Sequence, residues 1–319
     1  MNVFRSLRAI AESSGTGVVD WSRAAEAAKA STDPGALDLT PRDRDGYASD
    51  VRAARTRLRT VAGVEFDLPE TIEVQHRHHW IDASLRTFEN VMAPIEQVAT
   101  PAVLSVSRIA NTGSMAVTLA FLARNVLGQY DPLLLADEPD AGHGLYFVHP
   151  NIVSAADQLD VPYPRFRRWI AFHEVAHAAE FGAAPWLPSY LESRVESGLD
   201  GVMMGGFDPE SFRELQLAMT AVEGYAELLM DRAFDEEYAD LRRKLDERRR
   251  GGGPIQQLMR QFLGLGLKRQ QYERGAAFFE HVADARGVTA AAAVWDRPGN
   301  LPTAAELDHP ETWLTRVDP

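Results

Sequence analysis

Between Arg167 and Gly182 the chain reads RRWIAFHEVAHAAEFG. No proline interrupts this stretch, and Phe172, Val175, Ala176 and Ala178 around its polar residues are uncharged, so it predicts a helix suited to a buried position. On a helix, His173 and His177 stand one turn apart and project from one face. Any fold that accommodates this helix must either cover it and leave a cleft on the histidine face, or leave it on the surface with a His/Glu face in water.

The first arrangement has a chemistry. Two imidazole nitrogens on one helix face can grip a single Zn²⁺, and Glu174 falls beside the metal position, where it can hold a water molecule. The chain has no cysteine. A metal therefore has to sit on His, Asp and Glu, and a disulfide scaffold or a thiolate nucleophile is excluded. A catalytic zinc takes three protein ligands and leaves a fourth position to water. The metzincin pattern would supply the third as a histidine six residues after His177, following a glycine. Ala183 and Glu180 occupy those two positions. Glu180 lies on the right helix face but too far along to reach the same ion easily.

A better source is TAVEGYAELLMD, residues 220–231. Glu223, Glu227 and Asp231 recur every four residues within an otherwise apolar helix, which suits a solvated acidic stripe poorly. Gly224 costs about 1 kcal/mol relative to alanine inside a helix, so it marks close approach of another element, here expected to be the metal helix. Glutamate-type zincins place a ligand glutamate on a second helix and an acidic residue one turn later, which orients a ligand histidine. Glu223 with Glu227 and Glu227 with Asp231 both satisfy this. EGYAE resembles the EGFA ligand segment of gluzincin aminopeptidases, in which the glutamate before glycine binds the metal, and favours Glu223. Glu227 stays open as an alternative third ligand or as the orienting carboxylate.

Other residues carry weaker signals. His76, His78 and His79 in QHRHHW read as a solvated patch at a helix entry. His149 stands upstream of the metal helix and could reach a cleft or simply end a strand. Tyr225 and Tyr272 could donate a hydrogen bond to an oxyanion, or serve as core tyrosines.

The remaining chain is mainly helical. Helices are predicted over residues 18–60, from about Trp80 and from about Ser114 to Val126. YDPLLLA and GLYFVHPNI read as two strands joined by an acidic turn. Helices then follow from Pro164, over Pro209 to Phe234, over Glu237 to Arg250, and from about Ile255 and Lys268. A proline-punctuated tail packs through Trp295, Leu301 and Trp313. With 319 residues, we expect an N-terminal helical domain over 1–128 and a metal-binding domain over 129–319, packed as one unit. The net charge of −13 argues against nucleic acid or anionic lipid as a partner. Arginines interrupt the apolar residues of MNVFRSLRAIAESSG, unlike a signal peptide, and no window is apolar enough to span a membrane, so a cytoplasmic protein is expected.

Taken together, the segments resemble the zincin-like hydrolases of actinobacteria and archaea described as coenzyme F-420 biosynthesis-associated. The likeness runs through VDWSRAA, VLGQYD, GLYFVHPNI, HEVAHAAEF, VEGYAELLMD, LRRKLDERRRGGGP, GLGLKRQQYERGAAFFEHV, LPTAAEL and HPETWLTRV. It implies a mainly α zincin-like metallopeptidase fold, and no substrate, because the coenzyme association is one of genomic company. Tyr225 stands where many relatives are expected to have histidine.

The expectation is a zinc-dependent hydrolase acting on a peptide or small amide. His173, His177 and Glu223 would hold Zn²⁺, Glu174 would act as general base, and the GLYFVHPNI strand could form a cleft edge that pairs with substrate. Two alternatives use the same residues: a metal-stabilised adaptor without turnover, and an amide hydrolase of deazaflavin coenzyme metabolism.

Overall fold

Local signals start and stop the elements that carry the metal helix. Thr40 and Asp43 form a capping box around Pro41, and Gly63 closes the last turn at φ 68°, so α2 spans Pro41–Ala62 after a shorter α1, Trp21–Ser31. The computed structural model describes residues 10, 17–98, 101–131, 143–203, 208–234, 238–250 and 269–319. Strand β1, Thr71–Gln75, leads into α3, Arg77–Val98, and α4, Pro101–Asn125. Two further strands follow, β2 over Gly128–Asp131 and β3 over Gly144–Val148. The helices α5 His149–Leu159, α6 Tyr163–Ala183, α7 Leu187–Met203 and α8 Pro209–Ala233 make up the middle of the chain. Then come α9 Ala239–Arg250, α10 Arg269–Arg286, the short α11 Val288–Ala291, and, after two 3₁₀ turns, α12 Ala304–Asp308 and α13 Pro310–Val317.

The mainly helical expectation holds, and so does the small β element before the metal helix. Its details differ. The sheet has three strands in the order β1-β3-β2, with β1 parallel and β2 antiparallel to β3. β1 carries no clean apolar alternation: its residues run from half-buried Thr71 through exposed Ile72 and Glu73 to buried Gln75, so nothing in TIEVQ marks a half-buried strand. GLYFVHPNI stops being a strand at Val148, because Pro150 stands in the first turn of α5, where its fixed φ suits a helix. β3 is paired on both sides, over Gly144–Val148 with β1 and over Gly144–Phe147 with β2. It is therefore not the cleft edge, and β2 is the strand whose far edge is open to α6. The acidic turn before β3, the remainder of YDPLLLA and the expected helix from Ile255 lie outside the described residues.

Helix α6 is buried all around. Phe166, Ile170, Ala171, Phe172, Val175, Ala176, Ala179 and Phe181 face the core on every side of it, as a helix packed by several elements requires. It lies against α2, α5, α8 and β2. The core around it takes Tyr47, Val51, Ala54 and Leu58 from α2, Leu228 and Leu229 from α8, Phe278 and Phe279 from α10, and Trp295 and Trp313 from the tail. Leu301 is a half-buried neighbour of that core. A smaller cluster joins α1, α3 and α4 through Trp21, Trp80, Leu119 and Ala123.

Candidate metal centre

Helix α6 presents His173 and His177 in succession, with ring centroids 4.8 Å apart and planes at 77°. Trp169, one turn earlier, stacks on the His173 ring at 5.7 Å and 4°, which limits its rotation. From the facing helix α8, Glu223 reaches the same point. One ligand atom each from His173, His177 and Glu223 lie within 4.8 Å of one another, and this is the group with metal-ligand geometry among the described residues. Two imidazoles and one carboxylate are the donor set of a catalytic zinc. The residues therefore fit the ion.

Glu174 is 6% exposed and lies against β2, where its Oε2 accepts the Tyr130 backbone N–H at 3.1 Å. Glu180, with no exposed surface, accepts a hydrogen bond from His177 Nδ1 at 2.9 Å. That contact fixes the ring and leaves Nε2 as the nitrogen for a metal. Burial pushes the Glu174 carboxyl up to about 7, against the lowering effects of His177 and the Tyr130 amide. Burial likewise raises Glu180, partly offset by its bond to His177. For His177, burial works to lower the pKa, but the Glu180 hydrogen bond and the charges of Glu180, Glu223 and Glu174 outweigh it and raise it. Without a cation the buried carboxylates hold a proton on His177. A divalent ion at the ligand atoms would bring two positive charges in place of that one.

One expectation about α8 changes. Gly224 does not open a path to the metal helix. A Cβ there would lie 2.5 Å from the backbone carbon of Gly275 in α10, and a Cβ on Gly275 would lie 2.5 Å from Thr220 O. The close crossing is thus between α8 and α10, and it fixes the depth of α8 beside Glu223. Further along α8, Glu227 accepts a hydrogen bond from Arg242 Nη2 at 3.1 Å, and Asp231 also pairs with Arg242. A carboxylate does sit on a ligand-type histidine from the same helix: Glu180, against His177 Nδ1. Its spacing in HEVAHAAE was visible in the sequence, but there it suggested only a distant ligand. Gly128 and Tyr130 carried no chemical signal at all, because they act through backbone.

The other sequence candidates lie apart from this group. His149 Nδ1 sits 3.2 Å from the Tyr47 hydroxyl and 3.3 Å from the Tyr163 hydroxyl, and burial lowers its pKa. His76 and His79 stack at 3.9 Å, and His78 Nε2 bonds Thr32 O at 2.8 Å, all at the start of α3. Tyr225 is 1% exposed and packs edge-on against Phe279 and Trp295 at 5.3 and 5.6 Å, as a core tyrosine. The side chain of Tyr272 lies outside the described residues.

A family described as zincin-like metallopeptidase matches residues 19–208 and 207–314. A crystal structure from Chloroflexus aurantiacus, provisionally described as a hydrolase with a novel fold, is 28% identical with a TM-score of 0.74. The match covers 100% of this chain and 99% of that one. No curated protein matches.

Proposed function

Because this chain belongs to the zincin-like metallopeptidase family, we propose that it is a zinc-dependent hydrolase of peptide bonds, with Glu174 as general base. The observation that carries the reading is the convergence of His173, His177 and Glu223 within 4.8 Å beside a buried Glu174. His173 and His177 from α6 and Glu223 from α8 would hold the ion, in the gluzincin manner. Zinc, when bound, supplies Lewis acidity towards a carbonyl and lowers the pKa of water at its open position. Glu180 keeps His177 in the tautomer that offers Nε2. Glu174, with Oε2 tied to the Tyr130 amide, would take a proton from the nucleophilic water and pass it to the leaving nitrogen. Burial raises this carboxyl in the metal-free protein, and a cation beside it would draw its pKa back down towards the range of a working base. Nucleic acid and membrane play no part in this reading: the net charge is −13, and no helix among the described residues is long and apolar enough to cross a bilayer.

The same site chemistry serves a peptide and a small glutamyl amide, the bond type suggested by the coenzyme F-420 resemblance. The test therefore screens zinc-loaded protein against a random peptide library and a set of γ-glutamyl amides. Glu174→Gln should retain zinc and lose about 10²–10⁴-fold in hydrolysis of whatever wild type cleaves. Equal cleavage by both proteins removes Glu174 as the base.

A further inference from the structure

The main-chain contact between β2 and Glu174 has a consequence for how the site works. Val148 N donates to Leu127 O at 2.9 Å, and Gly128, Gln129 and Tyr130 pair in register with Phe147, Tyr146 and Leu145. Bonded and non-bonded pairs alternate along an antiparallel ladder, so the amides of Gly128 and Tyr130 turn away from β3 towards the open edge of β2. That edge lies on α6. There the Tyr130 amide donates to Glu174 Oε2 at 3.1 Å.

Gly128 makes the approach possible. A Cβ at this position would stand 2.5 Å from Glu174 Cγ, 2.7 Å from Oε1 and 2.8 Å from Cδ, closer than real contacts allow. Gly128 is not among the glycines with positive φ, so its backbone does not require glycine. The space does. A glycine inside a strand is found where another group approaches closely, and the group here is a carboxylate.

We propose that Gly128 and the Tyr130 amide are positioning residues for Glu174: the strand edge clamps the carboxylate from one side and so fixes where it stands beside the ligand cluster. The proposal rests on the reading of Glu174 as the base. A main-chain clamp is unaffected by side-chain replacement at residue 130, and this separates it from ordinary contacts of the Tyr130 ring. Orientation of a catalytic group within a fraction of an ångström is worth large factors in rate.

The experiment uses the full chain in two states. In metal-free protein, hydrogen exchange of the residue 130 amide is followed by NMR in wild type and in Glu174→Ala. The amide should be protected in wild type and exchange at least about tenfold faster in the variant, since its acceptor is gone. In zinc-loaded protein, acetohydroxamate is the probe, because it chelates zinc and offers a hydroxyl to the carboxylate beside it. Tyr130→Ala keeps the amide and should bind acetohydroxamate like wild type. Tyr130→Pro removes the N–H on the unpaired side, where an edge strand accepts proline, and Gly128→Ala inserts the clashing methyl. Both should weaken acetohydroxamate about 10–100-fold at unchanged zinc content. Wild-type affinity in Tyr130→Pro and Gly128→Ala alongside weakened binding in Glu174→Gln overturns the clamp. Wild-type affinity in Glu174→Gln itself overturns the base assignment beneath it. Unchanged exchange of the residue 130 amide in Glu174→Ala also overturns the clamp, whether or not the strand variants fold.

Discussion

At the scale of single residues, charge balance in a dry pocket governs the site. Glu174, Glu180 and Glu223 are all buried within the same region of α6 and α8, and removing carboxylates from water is costly unless positive charge accompanies them. In the metal-free protein the proton on His177 does part of that work. Its folded pKa is raised above the ordinary 6.5, so the stabilisation linked to this proton is complete below about 6.5 and is lost as pH rises through the raised value. Zinc requires the neutral ring. Zinc binding near neutral pH should therefore expel at least about one proton per ion, read by titration calorimetry in buffers of different ionisation enthalpy. A binding heat independent of the buffer would show that His177 is neutral in the metal-free protein. The ligand-type residues were legible from sequence because the imidazole and carboxylate spacings follow the helical period. Glu180 was visible but given too little weight: a carboxylate too far along for the ion is well placed for the outer nitrogen of His177, 2.9 Å away.

At the scale of elements, the site depends on where two helices cross a third. α6 and α8 carry the ligand set, and the α8–α10 crossing at Gly224 and Gly275 sets the position of α8. Gly224→Ala gains roughly 1 kcal/mol of helix propensity but puts a methyl 2.5 Å from the Gly275 backbone. Backbone cannot swing aside as a side chain can, so overpacking, which costs about 1–3 kcal/mol, wins. The variant should melt at lower temperature than wild type and bind zinc more weakly, because Glu223 moves with the helix. A raised melting temperature would mean that the crossing has slack. The start of α6 and both ends of α8 were readable to within a residue or so, from proline at their starts and, for α6, the uncharged residues around its histidines. The glycine was correctly read as a crossing and attached to the wrong neighbour, since periodicity says that an element approaches but not which one. β1 was unreadable because its exposed Ile72 and Glu73 break any alternation. β3 ends early because an X-Pro pair that looked like the tail of a strand begins α5.

At the scale of the whole molecule, one core surrounds α6 and takes side chains from α2, α8, α10 and the C-terminal tail, so elements far apart in sequence jointly hold the ligand set in place. The mainly helical architecture was legible because amphipathic periods dominate the chain, whereas the partners of each helix depend on tertiary packing that no single segment encodes. If the ligand set is His173, His177 and Glu223, zinc bridges α6 and α8, and removing any one of these removes a metal bond. Glu227, whose carboxylate bonds Arg242, should matter far less. Loss of an outer residue typically weakens affinity by about 10–100-fold, and loss of a ligand costs more. The decisive measurement is zinc retention against a graded chelator series for wild type, His173→Ala, Glu223→Ala and Glu227→Ala. Wild type should hold about one zinc, as a single three-ligand site requires, and Glu227→Ala should retain it at chelator concentrations that strip Glu223→Ala and His173→Ala. Wild-type retention by Glu223→Ala, or greater damage from Glu227→Ala, would contradict the account.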